Sequence, residues 1–203
     1  MRQALLLVLT LSLTCSESAS QPAAKEDQRV AKAVEVFYRT QMERPHSGLL
    51  SAAELKQIKP LLSAKLYSRY ERAVRAREDW ARANPDDPAR RIFNKPPCCE
   101  GGNYFESLAE WPDVRSNSGD DPVGHFEVRG AERQRDGSWK VSLHFWYETT
   151  PRVEWTDVVV AVEEHGEFVV HDVIFPGGPF NRDGRLSELL NGCEEQSRVV
   201  ESK

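Results

Sequence analysis

The carboxylate of Asp172 is the side chain in this sequence best placed to do chemistry. It ends the run Gly166-Glu-Phe-Val-Val-His-Asp172, whose alternation as a strand turns Phe168, Val170 and Asp172 to one apolar face. An acid stripped of water there is harder to ionise, so it can act as a general acid or base, or anchor a polar ligand. Phe37, Phe126, Tyr147 and Thr156 are expected to line a small-ligand pocket with it. The same position also suits a structural carboxylate that caps a backbone amide or pairs with an arginine.

Catalysis would need a second group beside Asp172. The sequence supplies Tyr147, His46 in a Pro-His-Ser-Gly turn, or a cysteine, and no spacing defines their geometry. No Gly-x-Ser-x-Gly occurs, so a serine hydrolase is unsupported. Adjacent Cys98 and Cys99 lack the C-x-x-C spacing that brings two sulfurs to one zinc ion, and no histidine follows at finger-like spacing. His144 and His171 fall on strands two apart, roughly 9.6 Å, which is too far for a shared zinc. The expectation is a binding or interaction domain without metal or cofactor, with a cavity enzyme using Asp172 as the alternative.

Positioning Asp172 depends on four short strands between His125 and Phe175. Asp136-Gly137 reads as a two-residue hairpin turn, which sets Phe126 opposite Tyr147, Val128 opposite Phe145 and Gly130 opposite Leu143. Trp139 and Val141 share that face, while Lys140, Ser142, His144 and Glu148 point away. Thr150-Pro-Arg-Val153 turns the chain into Glu154 to Glu163, where Val158, Val160 and Val162 are expected on the core face. A three-residue turn at Glu164-His165-Gly166 then sets Asp172 opposite Val158, whereas a two-residue turn would slip the pairing. Trp146 and Trp155 fall on the outer face with His144, Val159 and His171.

Three helices precede the strands. Val30, Val34, Phe37, Tyr38 and Gln41 recur at helical spacing within 26–43, and Pro45, Ser47 and Gly48 end that segment. Ser51-Ala-Ala-Glu54 has the form of a capping box, followed by Leu55, Ile58 and Leu62 and a break at Pro60. From 64 to 84, Leu66, Tyr70, Ala73 and Trp80 face inward. The basic residues Arg69, Arg72, Arg75, Arg77 and Arg82 interleave with Glu71, Glu78 and Asp79, a pattern read as a solvated face. The stretch 94–124 has little periodicity and reads as a long loop near the open end of the sheet. Leu186, Leu189 and Leu190 indicate one short helix near the C-terminus.

With 203 residues, 39% hydrophobic and 29% charged, the chain fits one domain with tails. Arg2 and the apolar run Ala4 to Leu13 resemble a secretory signal, cleaved after Ser20. The divisions are a signal over 1–20, a flexible spacer over 21–26, a domain over 27–193 and a flexible tail over 194–203. Cleavage removes one base, Arg2, and one acid, Glu17, so the net charge of -5 is unchanged and nucleic acid is not an expected partner. The alternative is lipidation of Cys15, the one expected route to a membrane. Export permits disulfides, and Cys193 with Cys98 or Cys99 would close a loop of roughly 95 residues worth about 4 to 5 kcal/mol. Loose thiols are the alternative.

This order of a long amphipathic helix, two shorter ones and a curved antiparallel sheet resembles the nuclear-transport-factor-2-like, cone-shaped superfamily. More narrowly it resembles an exported bacterial domain-of-unknown-function branch. The carrying residues are Val34-Glu-Val-Phe37-Tyr38, Asp120-Asp-Pro122 and Gly166-Glu-Phe168-Val-Val170-His-Asp172-Val173, within Asp27 to Leu190. Where that family reads tryptophan and a first acid in its last strand, this chain has Phe168 and His171. The resemblance implies an α+β fold, with N-terminal helices packed on a four-stranded antiparallel meander, a short C-terminal helix, and a cavity between helix and sheet. Expected partners are a small ligand at Asp172 or an envelope protein, with the outer-face Trp146 and Trp155 as anchors for a partner or a homodimer.

Overall fold

The computed structural model describes residues 21–42, 49–83, 85, 124–147, 153–175 and 184–200. Helix α1 spans Gln21–Met42, α2 Ala52–Ile58, α3 Ala64–Ala83 and α4 Leu186–Val200. Strands β1 (Gly124–Arg133), β2 (Trp139–Tyr147), β3 (Val153–Glu164), β4 (Glu167–Phe175) and β5 (Gly184–Arg185) form one antiparallel sheet in chain order. The fold is α+β, and the expected four-stranded meander gains a two-residue fifth strand. Residues 21–26, expected as a spacer, belong to α1, and most of the expected tail belongs to α4.

Helix α1 crosses β1 to β4 and buries Val30, Val34, Phe37, Tyr38 and Gln41 against them. These are the positions that the 3.6-residue period selects. We call this the inner face of the sheet. The capping box at α2 is complete: Glu54 N–H donates to Ser51 Oγ at 3.3 Å, and Ser51 N–H donates to Glu54 Oε2 at 2.7 Å. The α-helix stops before Pro60, where a 3-10 turn takes over at Lys59–Leu61. Replacing Ser51 by alanine is expected to cost about 1 kcal/mol. Urea denaturation measures it, and an unchanged midpoint would show that packing of Leu55 and Ile58 alone holds α2.

The register corrects several expectations. Gln134 N–H donates to the Ser138 carbonyl at 2.7 Å and Gly137 has φ +84°, so the first hairpin has a three-residue loop, not two. A bulge between Val128 and Gly130 adds a second one-residue shift. The two shifts restore the parity, so Phe126 and Val128 still pack toward the core, now opposite Phe145 and Leu143. Gly130 is exposed and Ala131 takes the inward place.

In β3 the parity is reversed. Trp155, Asp157, Val159 and Ala161 are buried, paired with Phe145, Leu143, Val141 and Trp139, while Val158, Val160 and Val162 face outward. The second hairpin is a two-residue turn in which His165 and Gly166 have φ of +56° and +85°. It pairs Val162 with Val169. A bulge at His171 then turns Val173 inward opposite Val159, and sets Asp172 opposite Val160 on the outer face.

Candidate functional site

Asp172 is buried, yet it lies across the sheet from the apolar face expected for it. The start of α4 covers it: Oδ1 accepts from the amides of Val173 and Ser187, each at 3.0 Å, and Oδ2 accepts from Ser187 Oγ at 2.8 Å. Arg185 stands 3.6 Å from Oδ2. This is the structural role that a carboxylate there could take, capping an amide and facing an arginine. Thr156 is exposed on the same outer face, opposite His144. Phe37 is fully buried and Phe126 packs against the same inner core. Tyr147 pairs with Gly124 and Val153, and its side chain lies outside the described residues. Asp172 and Thr156 therefore lie on the outer face, and Phe37 and Phe126 on the inner one.

Trp155 is likewise separated from Trp146. Its ring is inside, stacked on Phe145 at 5.3 Å, so the outer face does not carry the expected tryptophan pair. Trp146 stays outside and stacks with both His125 and His144, at centroid distances of 5.3 and 5.5 Å. His144 Nε2 is 2.8 Å from Glu154. Cys15, Cys98 and Cys99, and the side chain of Cys193, lie outside the described residues.

The inner face holds a carboxylate that sequence reasoning missed. Asp157 is 1% exposed between Trp155 and Val159, and burial raises its pKa to about 7, an effect partly offset by hydrogen bonding from the Trp155 indole. Tyr38 of α1 is near enough for the Asp157 charge to act on its phenol. Burial first, then Asp157, then Tyr70 of α3 push that phenol well above its usual range. Tyr38 also packs on Phe126 and Phe145, at 5.9 and 5.4 Å. Among the described residues, Tyr38 Oη, Gln41 Nε2 and Asp157 Oδ2 are buried without a hydrogen-bond partner. Gln41 lies one helical turn beyond Tyr38, on the same buried stripe of α1.

This arrangement places a phenol, an amide and a carboxyl that ionises near neutrality inside an aromatic core. The carboxyl can donate as well as accept while protonated, and it is matched to proton transfer near pH 7. The available signal in the sequence was Tyr38 and Gln41 among the inward residues of α1. Asp157 carried none, because the three outward valines beside it suggested the opposite parity. Among the described residues, no group of three histidine, cysteine or acidic side chains could hold a metal, and no helix is long and apolar enough to cross a membrane. No protein-family model matches the chain, and no curated protein or solved structure matches it either.

Proposed function

We propose that this chain is an exported, cone-shaped binding domain of the nuclear-transport-factor-2-like type, whose inner polar cluster seats a small neutral ligand rich in hydrogen-bonding groups. The observation that carries the binding reading is the set of three buried, unpartnered polar atoms on Tyr38, Gln41 and Asp157. Folded interiors satisfy almost all such atoms, because each one left unmade costs about 1–3 kcal/mol. A ligand with adjacent donor and acceptor atoms, such as an amide or a urea, would complement a protonated carboxyl, a phenol and a carboxamide together. The surrounding aromatic rings would supply the apolar walls.

The cone reading draws on α1 lying across the inner face and on bulges in β1 and β4, which bend strands. Export draws on Arg2 and the apolar run behind it, and cleavage after Ser20 would leave Gln21, the first residue of α1, as the new terminus. Mass spectrometry of the mature terminus separates this from a lipid on Cys15.

Thermal-shift screening with small amides, ureas and carboxylic acids tests the site. A ligand at one hundred times its Kd adds about 2.7 kcal/mol, so a true binder raises the wild-type melting temperature by several degrees. Tyr38→Phe, which removes one hydroxyl and keeps the ring packing, is expected to abolish most of that rise. No rise with any probe, together with a more stable Tyr38→Phe variant, would show that the cluster is only unmatched polarity and would reject the site.

A further inference from the structure

The arginine row of α3 divides once the fold is known. Arg72 pairs with Glu194 at 2.9 Å, Arg75 with Glu71 at 3.8 Å and Arg82 with Asp79, and Arg77 donates to the Leu49 carbonyl at 2.7 Å. Arg69 has no such partner among the described residues, and neither does Lys65, one turn before it. Both line a groove of about 670 Å³ on the outer side of the sheet, together with Lys140, His171, Asp172 and Arg185.

The acids of the groove are largely committed. Asp172 is held by Ser187 and faces Arg185, and Asp136 accepts from the amide and hydroxyl of Ser138 at 3.0 and 2.6 Å. The helix starts that open here are also satisfied internally. Glu164 accepts from the Ala64 amide, Ser63 Oγ from the Leu66 amide and Asp172 from the Ser187 amide. Binding capacity therefore resides in side chains and not in free helix amides. His171 Nδ1 is 3.0 Å from Ser63 Oγ, which already accepts from Leu66. With the serine hydroxyl donating to Nδ1, the neutral imidazole carries its proton on Nε2 and is a donor.

We propose that this groove binds a doubly charged oxyanion, the phosphate group of a small molecule, through Lys65, Arg69 and His171. A guanidinium presents paired N–H groups to phosphate oxygens, the ammonium adds a point charge, and the imidazole adds a directed donor. The concave shape suits a small ligand, and Asp136 and Glu163 at the groove would repel an extended polyanion. The proposal is independent of the inner cluster, which lies on the other face of the sheet.

His171 also supplies a readout. Burial, Lys65 and Arg69 lower its pKa, while Asp172 of β4 and Glu164 of β3 oppose them, and Lys140 of β2, Glu163 of β3 and Arg185 of β5 border the same space. A bound dianion would favour the imidazolium, so His171 would take up a proton at higher pH when the groove is filled.

Calorimetry and imidazole NMR on the chain with inorganic phosphate, glycerol 3-phosphate, sulfate and acetate test this. Saturable phosphate binding is expected, weakened about a hundredfold or more in Lys65→Gln/Arg69→Gln, which removes two charge-assisted contacts at once. It should be unchanged in Arg75→Gln, and melting curves verify that each variant is folded. Sulfate, whose charge is constant over the range, should bind more tightly at pH 5.5 than at pH 7.5 and raise the His171 midpoint. Tighter binding of glycerol 3-phosphate than of phosphate would assign the rest of the groove to the organic part, and equal binding would confine recognition to the phosphate group. Absence of saturable binding, equal response to acetate, or unchanged affinity in a folded double variant would overturn the proposal.

Discussion

Asp157→Asn is expected to be more stable than the wild type at pH 8, by a margin that shrinks markedly at pH 5. The folded carboxyl ionises at about 7, above its ordinary value of 3.8, because burial next to Trp155 and Tyr38 removes its hydration. Between those values the folded chain keeps a proton that the unfolded chain releases. Stability from this group is therefore complete below about pH 4, falls as the pH rises through 7, and is absent above it. The full swing is about 4 kcal/mol, and more than half of it falls between pH 5 and pH 8. Asparagine keeps the shape and cannot ionise, so it escapes that loss. For a chain of this size the gain corresponds to roughly 5 to 10 °C in melting temperature at pH 8 relative to pH 5. Parallel melts of both proteins across that range check it. A gap that does not change with pH would mean that the folded state already carries Asp157 ionised at pH 5, and that the inner cluster compensates a charge.

The same experiment bears on the ligand reading. A protonated Asp157 is a donor at pH 6 and mostly an acceptor at pH 8, so a ligand that accepts from it should bind less tightly at the higher pH. Asparagine retains one donor and one acceptor at both values. Its binding should then lose the pH dependence while keeping part of the affinity.

How much of this was legible in the sequence depended on which signals were local. The inward stripe of α1 and the Ser51 capping box rest on residues within a turn or two of one another, and both form as read. Strand β2 alternates without ambiguity, with Trp139, Val141, Leu143 and Phe145 inside. Strand β3 does not, since Val158 to Val162 are apolar at consecutive positions and fit either face. There the decision belongs to Trp155 and Asp157, and an acid is a poor guide to burial until its surroundings are known.

The bulges at 128–130 and at His171 have no sequence signature comparable to a turn, yet each flips the strand beyond it. Alternation with Phe168 and Val170 predicts Asp172 on the inner face, and the bulge sets it on the outer one. The pairing of its strand with β3 slips by one residue at His171, and the residue that was to face the pocket faces α4. The arginine row of α3 reads as a solvated face, and it is so at Arg75 and Arg82, whereas Arg72 reaches Glu194 of α4, Arg77 the Leu49 carbonyl and Arg69 the groove beside the sheet.

Asp172→Ala should then be among the most damaging single changes on the outer face, for a reason unrelated to ligand. Alanine removes the acceptor for two buried amides, Val173 and Ser187, and for the Ser187 hydroxyl. Each unsatisfied buried donor costs about 1–3 kcal/mol, and the hydroxyl can rotate to recover part of its share, so the expected loss is about 3 kcal/mol. Asp172→Asn retains one oxygen for both amides, replaces the acceptor of the Ser187 hydroxyl by an NH2 group that this hydroxyl can meet only by rotating to accept, and loses the interaction with Arg185. That arginine is half exposed at 3.6 Å, so its loss is worth no more than about 1 kcal/mol. Ser187→Ala removes a single hydrogen bond and should fall near the same value. Urea midpoints should place alanine at 172 clearly below both alanine at 187 and asparagine at 172. Hydrogen exchange should locate the damage in the first turn of α4, with the amide of Ser187 among the first to lose protection. If alanine and asparagine at 172 proved equal, the two amide caps would contribute nothing, and burial of Leu186 and Leu190 against the core would be the whole anchor of α4.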